Sequence, residues 1–170
     1  MKTQIFNNDK LTVYDKISMI VYLMLTIMVS QISSFFGDIE TQKSIVMAYS
    51  FLTPFSLYIF SYKSLRNIKM FIVWIGFGAF HLFLYKTLVT NSDLMFFRGH
   101  AAHGLQYTIY FVILFEILRL AHLRLFGYEL VSLGSYGART DLWDERKIRL
   151  PDIICFFIYF PIWIMAATVK

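Results

Sequence analysis

Five long apolar stretches alternate with short polar segments along this chain of 170 residues. They lie at about 17–36, 44–61, 70–89, 97–120 and 152–169. Each stretch has roughly the 20 residues that an α-helix needs to cross the hydrocarbon core of a bilayer. Because lipid offers no partner for backbone N–H groups, such stretches are expected to be helical. The pattern predicts an all-α fold, a polytopic transmembrane bundle of five helices.

The composition leaves room for little besides this bundle, since 58% of the residues are hydrophobic and 16% are charged. We expect one integral membrane domain over residues 1–170, because the longest connection, about 126–150, is too short for a core of its own. The net charge of +5 could suggest a nucleic-acid partner. The bases gather at the ends of the apolar stretches, however, so we predict the lipid bilayer as the partner and no nucleic acid.

The distribution of basic residues predicts an orientation. Twelve of the sixteen Lys and Arg residues fall in the amino-terminal tail, the link after the second stretch and the region at the end of the fourth. Loops rich in Lys and Arg stay in the cytosol during membrane insertion. The amino terminus and the 126–150 link are therefore predicted to be cytosolic, with the carboxyl terminus outside. We expect the inner membrane of a bacterium, with an organellar membrane as the alternative.

Polar side chains inside the apolar stretches are the candidate functional residues, because unpaired polar groups are unfavourable in lipid. The fourth stretch carries the largest group, at helical spacings of three and four: His103, Gln106, Tyr107 and Tyr110. These side chains are predicted to share one face of a helix. That face would contact other helices or line a pore.

Three histidines raise the question of a cofactor. If the fourth helix begins near Leu94, His103 reaches the depth of His81, and two imidazoles at equal depth suit a haem b iron or a transition metal. If the helix begins near His100, the histidines at 100 and 103 lie at the outer surface instead. A zinc site at these two residues lacks an obvious third ligand. We expect no cofactor, with His81, His100 and His103 as ligands of a haem or a metal in the alternative.

Two further charges lie near the end of the fourth stretch. Glu116 and Arg119 are three residues apart, a spacing that brings side chains together on a helix. We predict an ion pair at the membrane edge. No motif of a known catalytic site is present in the sequence, so no catalytic residue is assigned.

The favoured function is a non-catalytic anchor or scaffold subunit of a larger membrane assembly. Its expected partners are other membrane subunits or further copies of the chain. Two alternatives remain open. One is an intramembrane electron-transfer or oxidoreductase module with histidine-ligated haem or metal, and the other is an oligomeric channel or transporter for ions or protons.

Overall fold

A computed structural model describes residues 6–96, 99–132 and 147–168, and these ranges are mostly helical. The helices are α1 (Val13–Ser30), α2 (Ile32–Phe35), α3 (Ile39–Phe60), α4 (Ile68–Leu88), α5 (Thr108–Phe126) and α6 (Leu150–Thr168). Between α4 and α5 lies a short antiparallel hairpin of β1 (Met95–Phe96) and β2 (Gly99–His100). The helical content agrees with the predicted all-α class. Most of the predicted 126–150 link lies outside the described residues.

Polar residues just before the helices fix where three of them begin. The Thr12 hydroxyl accepts the backbone N–H of Asp15, whose carboxylate in turn accepts the N–H of Thr12, so α1 starts with a capping box. Asp38 caps α3 in the same position and accepts both the hydroxyl and the N–H of Thr41, which lowers the pKa of the Asp38 carboxyl. Asn67 caps α4 by accepting a backbone N–H two residues on.

Helices α1, α4 and α6 begin at the end of the bundle where α3 and α5 finish. The Ser64 hydroxyl, between α3 and α4, donates to the Asp15 carboxylate at the start of α1. Arg66 donates to the carbonyl of Leu130, beyond α5, at 2.8 Å. Asp152, at the start of α6, accepts the backbone N–H of Val131 at 3.2 Å. We call this the amino-terminal end of the bundle. Consecutive long helices therefore alternate in direction.

The helix expected over 97–120 was predicted wrongly at its start. It begins at Thr108 and ends at Phe126, where Gly127 turns the chain with a φ of +74°. The preceding residues form the hairpin and a 3-10 turn over His103–Tyr107. Gly99 has a φ of +123°, far from the right-handed helical region, so a helix cannot run through this position. The expected stripe is therefore divided between a 3-10 turn and α5.

Two helices in the described ranges, α1 and α4, have the length and apolar composition to cross a membrane. The apolar part of α6, Leu150–Ala166, is shorter, and α5 contains the charges of Glu116, Arg119 and Arg124. The prediction of five spans is therefore not confirmed. Two such helices indicate membrane association only weakly, because the core helix of a soluble protein can have the same length and composition.

Hydrogen bonds to the backbone of α3 hold α6 in place. The Tyr159 hydroxyl donates to the carbonyl of Pro54 at 2.7 Å, and the Trp163 indole N–H donates to the carbonyl of Phe51 at 3.0 Å. Pro54 has no backbone N–H to donate to the carbonyl of Ser50, and the two carbonyls that accept from α6 lie in the same turn of α3. The proline of α3 thus lies where α6 packs.

Candidate functional site

Buried and half-buried polar side chains from four helices meet inside the bundle around His81. We call this group the interior polar cluster; its members are Tyr22 and Thr26 of α1, Tyr49 and Thr53 of α3, His81 of α4 and Thr108 of α5. The imidazole of His81 is fully buried. Its Nε2 lies 2.9 Å from the Tyr49 hydroxyl, and its Nδ1 lies 2.9 Å from the Thr108 hydroxyl. The histidine therefore joins α4 to α3 and α5.

The proton positions in the cluster follow from its carbonyl acceptors. The Thr26 hydroxyl donates to the carbonyl of Tyr22 at 2.7 Å, so its oxygen accepts from the Tyr49 hydroxyl. In the same way Thr53 donates to the Tyr49 carbonyl at 2.7 Å and accepts from the Tyr22 hydroxyl at 3.0 Å. Because the Tyr49 proton is directed at Thr26, Nε2 of His81 must be a donor. In the neutral ring, Nδ1 then accepts a proton from Thr108.

This assignment leaves His81 with no nitrogen available for a metal. A histidine that ligates iron or zinc offers the lone pair of one ring nitrogen, while the other nitrogen makes a supporting hydrogen bond. Here Nε2 is a donor to Tyr49 and Nδ1 is occupied by Thr108. The geometry therefore supports a structural role for the cluster, in which hydrogen bonds hold four helices together.

The other two candidate ligands have separate partners. The Nε2 of His100 donates to the carbonyl of Asn91 at 3.1 Å, and its Nδ1 accepts the N–H of Ala102 at 3.2 Å, so this ring closes the hairpin loop. The ring of His103 contacts the Gln106 amide at 3.0 Å instead. The structure thus places the histidines at 81, 100 and 103 in three different environments. Within residues 6–96, 99–132 and 147–168, no group of three His, Cys, Asp or Glu side chains is arranged to hold a metal.

The residues of the expected stripe contact each other at the opposite end of the bundle. Gln106 and Tyr107 both reach the His103 ring, the hydroxyl of Tyr107 at 3.4 Å from its Nε2. Tyr110 follows on α5 with 61% of its surface exposed, and its ring lies 6.5 Å from that of Tyr107. The group is half-buried to exposed, so it lies at the rim of the bundle and not along an interior path.

A second group of polar side chains, buried or partly buried, lies at the amino-terminal end. We call it the ionic cluster; its members are Arg66, Glu116, Arg119, His122, Glu129 and Asp152. Arg119 donates from Nε to Glu116 at 2.9 Å and from Nη1 to Glu129 at 2.9 Å. Its guanidinium carbon also lies 5.1 Å from the ring centre of Phe6. Arg66 lies 3.7 Å from Glu129, so two carboxylates and two guanidinium groups alternate.

The sequence spacing anticipated part of this cluster. Glu116 and Arg119 form an ion pair, and their side chains are only 8% and 0% exposed, so the pair is buried among the side chains at the amino-terminal end of the bundle. Glu129 was not singled out from the sequence. It lies two residues after the glycine that ends α5, in a link that carries four acidic and four basic residues, so its charge did not stand out in the sequence.

His122 and Asp152 connect α5 to α6 within the ionic cluster. The Nε2 of His122 lies 3.3 Å from the Asp152 carboxylate, and both side chains are fully buried. The Nδ1 of His122 donates to the carbonyl of Tyr128 at 3.0 Å. Asp152 also accepts the backbone N–H groups of Val131 and Arg149, so one carboxylate organises the start of α6 and the segment after α5.

Two buried polar groups outside both clusters lack a hydrogen-bond partner among the described residues. They are the hydroxyl of Tyr58 and the indole N–H of Trp74. Both side chains pack among aromatic rings, Tyr58 against Tyr159 and Trp74 against Tyr22. Complete pairing is therefore a property of the interior polar cluster and not of every buried polar group.

Comparison with known proteins gives no relative. No family model, no curated protein and no solved structure matches this chain. The features of the molecule that bear on function are therefore the geometry of the two clusters and the surface around them.

Replacing His81 tests whether the interior polar cluster stabilises the bundle. His81→Leu is expected to lower the free energy of unfolding by about 1–3 kcal/mol. It removes two interhelical hydrogen bonds, so the hydroxyl groups of Tyr49 and Thr108 lose the imidazole as a partner. The half-buried His103 provides the matched control, and His103→Leu is expected to cost less than about 1 kcal/mol. Unfolding by SDS in mixed micelles, followed by circular dichroism, measures both. Equal losses would contradict the structural role of the cluster.

Proposed function

We propose that this chain is a multi-pass membrane protein with five spans and a cytosolic amino terminus, located in the inner membrane of a bacterium. In this proposal it acts as a non-catalytic anchor or scaffold subunit of a larger membrane assembly. Its partners are other subunits or further copies of the chain. The proposal rests on the outer surface of the bundle, on the distribution of exposed charge and on the interior polar cluster.

Large apolar side chains on several helices point away from the core. Phe83 of α4 is 65% exposed, and Phe157 and Met165 of α6 are 64% and 62% exposed. On α1, Ile17, Met24 and other apolar residues are similarly exposed. Soluble monomers seldom present apolar area of this extent, whereas lipid is a favourable solvent for it. This surface supports placement of the bundle in a membrane.

The exposed charge at the amino-terminal end is predominantly positive. Its exposed basic residues in the described ranges include Lys10, Lys16, Lys63, Lys69, Arg124, Lys147 and Arg149. The acidic side chains of Asp15, Glu116 and Asp152 at the same end are buried. Because basic segments are retained in the cytosol, this arrangement supports a cytosolic position for the amino-terminal end.

The observation that carries the scaffold assignment is the complete pairing of the interior polar cluster. A proton path or a haem site uses interior polar groups that exchange partners or have a free lone pair. The hydroxyl and imidazole groups around His81 bind one another and connect four helices. Networks of this kind favour a single rigid packing, which suits a subunit that positions other proteins.

Deletion of the gene tests the anchor role directly. We expect at least one protein that cross-links to the chain to move from the membrane fraction to the soluble fraction, or to fall in abundance, when the chain is absent. Quantitative mass spectrometry of both fractions measures this, and expression of the full chain should reverse it. Tags on the two termini serve as the topology control and should be accessible from opposite sides.

If every cross-linked protein keeps its abundance and its distribution between the membrane and soluble fractions after deletion, the anchor role is ruled out. A Soret band in the purified protein would instead support the haem alternative, and termini on the same side would exclude five spans.

A further inference from the structure

An apolar groove runs between α1 and α4, the two helices that are suited to cross a membrane. It encloses about 300 Å³ and is lined by Leu23, Thr26, Ile27, Val73, Gly76, Phe77 and Phe80. Gly76 leaves the floor open, since a Cβ added there would meet no atom within 4 Å. The groove lies midway along both helices and opens to the outside of the bundle. Its occupant must therefore be apolar and must approach from the surroundings of the helices.

Two lysines lie on the same helical stripes as the groove. Lys16 precedes Leu23 by seven residues on α1, and Lys69 precedes Gly76 by seven residues on α4. A spacing of seven returns to nearly the same face of a helix. Both lysines are exposed, and both are at the amino-terminal end, because α1 and α4 begin there. The groove therefore has two ammonium groups above one end.

The depth of the groove below the lysines fits the dimensions of a phospholipid. At 1.5 Å per residue, the Cα of Leu23 lies roughly 10 Å along α1 from that of Lys16, and Phe80 lies roughly 16 Å along α4 from Lys69. A lipid with its phosphate at the level of the lysines has its acyl chain at this depth. A protein helix fits less well, because close helix approach needs several small residues along a stripe, and the two small residues of the lining, Thr26 and Gly76, lie on different helices.

The groups around the two lysines indicate which kind of headgroup can bind there. The Lys69 ammonium contacts only backbone carbonyls within the described residues, those of Asn8 and Asp9 at 3.4 and 3.3 Å. Asp15, next to Lys16, is buried and accepts hydrogen bonds from Thr12 and Ser64. Asp9 is an exposed acid nearby, and the adjacent Lys10 balances its formal charge. The site is therefore suited to an anionic headgroup.

We propose that the groove between α1 and α4 binds one acyl chain of an anionic phospholipid whose phosphate contacts Lys16 and Lys69. The inference depends on the proposed placement in a membrane, but it does not depend on the anchor role. The lipid would fill an outward-facing cleft between the first and third spans. Its single negative charge would lie between two of the exposed bases at the amino-terminal end.

Native mass spectrometry of the full chain in a non-ionic detergent tests this site. Dioleoyl phosphatidylglycerol is expected to bind more tightly than phosphatidylcholine with the same acyl chains. Lys16→Gln and Lys69→Gln should each weaken phosphatidylglycerol binding about fivefold, the usual effect of one base near an anionic surface. Arg124→Gln removes an equal charge at the same end of the bundle but on α5, and it should leave binding unchanged.

The acyl-chain part of the proposal has its own pair of variants. Gly76→Leu fills the groove and is expected to weaken binding of both lipids at least fivefold. Ala79→Leu places the same side chain at an exposed position of α4 outside the groove and should have no effect.

Several outcomes would overturn the site: equal affinity for the two lipids, equal effects of Lys16→Gln and Arg124→Gln, or equal effects of Gly76→Leu and Ala79→Leu. Because the measurement uses the isolated chain, its result is independent of whether partner proteins exist. If the chain stays soluble and folded without detergent, both this site and the proposed function fail.

Discussion

Replacing Arg119 with leucine is expected to lower the free energy of unfolding by about 3–5 kcal/mol, the usual range when one partner of a buried ion pair is lost. Arg119 is fully buried, and it is the cation that the structure places on the Glu116 carboxylate. Its removal would take this cation away from the Glu116 carboxylate, whose side chain is only 8% exposed. SDS-driven unfolding in mixed micelles measures the effect.

Two controls separate loss of the ion pair from loss of a long side chain. Arg124→Leu removes an exposed guanidinium one turn and a half further along α5 and is expected to cost less than about 0.5 kcal/mol. The double variant Glu116→Leu with Arg119→Leu removes both charges, and apolar replacement of a buried pair is often neutral. The double variant should therefore be more stable than Arg119→Leu. If it is not, the buried carboxylate is not the source of the destabilisation.

Replacing Gly78 with leucine is expected to destabilise the protein by about 3 kcal/mol or more, because it forces two packed helices apart. A Cβ at this position would lie 2.8 Å from the Cα and Cβ of Ile109 in α5. The backbone of α5 cannot rotate away as a flexible side chain would. The same stretch of α4 provides a matched control, since Gly76 is two residues away and has open space where its Cβ would be.

Gly76→Leu is therefore expected to stay within about 1 kcal/mol of the parent protein, since leucine is also the better helix former. Thermal unfolding in the same detergent compares the two variants. Similar losses at positions 76 and 78 would show that α4 and α5 are not in the close contact described here.

The sequence predicted the helical regions because apolar stretches of helical length are a strong signal. The start of α5 was missed for a local reason. The polar residues from His103 to Tyr107 have spacings that suit a helix, but Gly99 takes a positive φ and the chain forms a hairpin before them. Spacing alone does not distinguish a helical stripe from residues that meet on a 3-10 turn.

The site was partly predictable. A polar side chain such as His81 in an apolar helix stands out in the sequence, and so does a Glu and Arg pair three residues apart. The partners of these residues did not stand out. Tyr49, Thr53 and Thr108 belong to residue types that are common in such helices, and only the packing of the helices brings their hydroxyl groups to partners on other helices. Tertiary contacts between distant positions leave no pattern in a single sequence.

The position of the interior polar cluster along the chain has a consequence for biogenesis. All six of its members precede residue 109, so the hydrogen bonds around His81 require no segment that is made later. A ribosome that has completed α5 has already supplied every group needed to unite four helices. The carboxyl-terminal helix then joins a preassembled core, and its arrival supplies Asp152, which completes the ionic cluster. Synthesis and assembly can thus proceed in the same order.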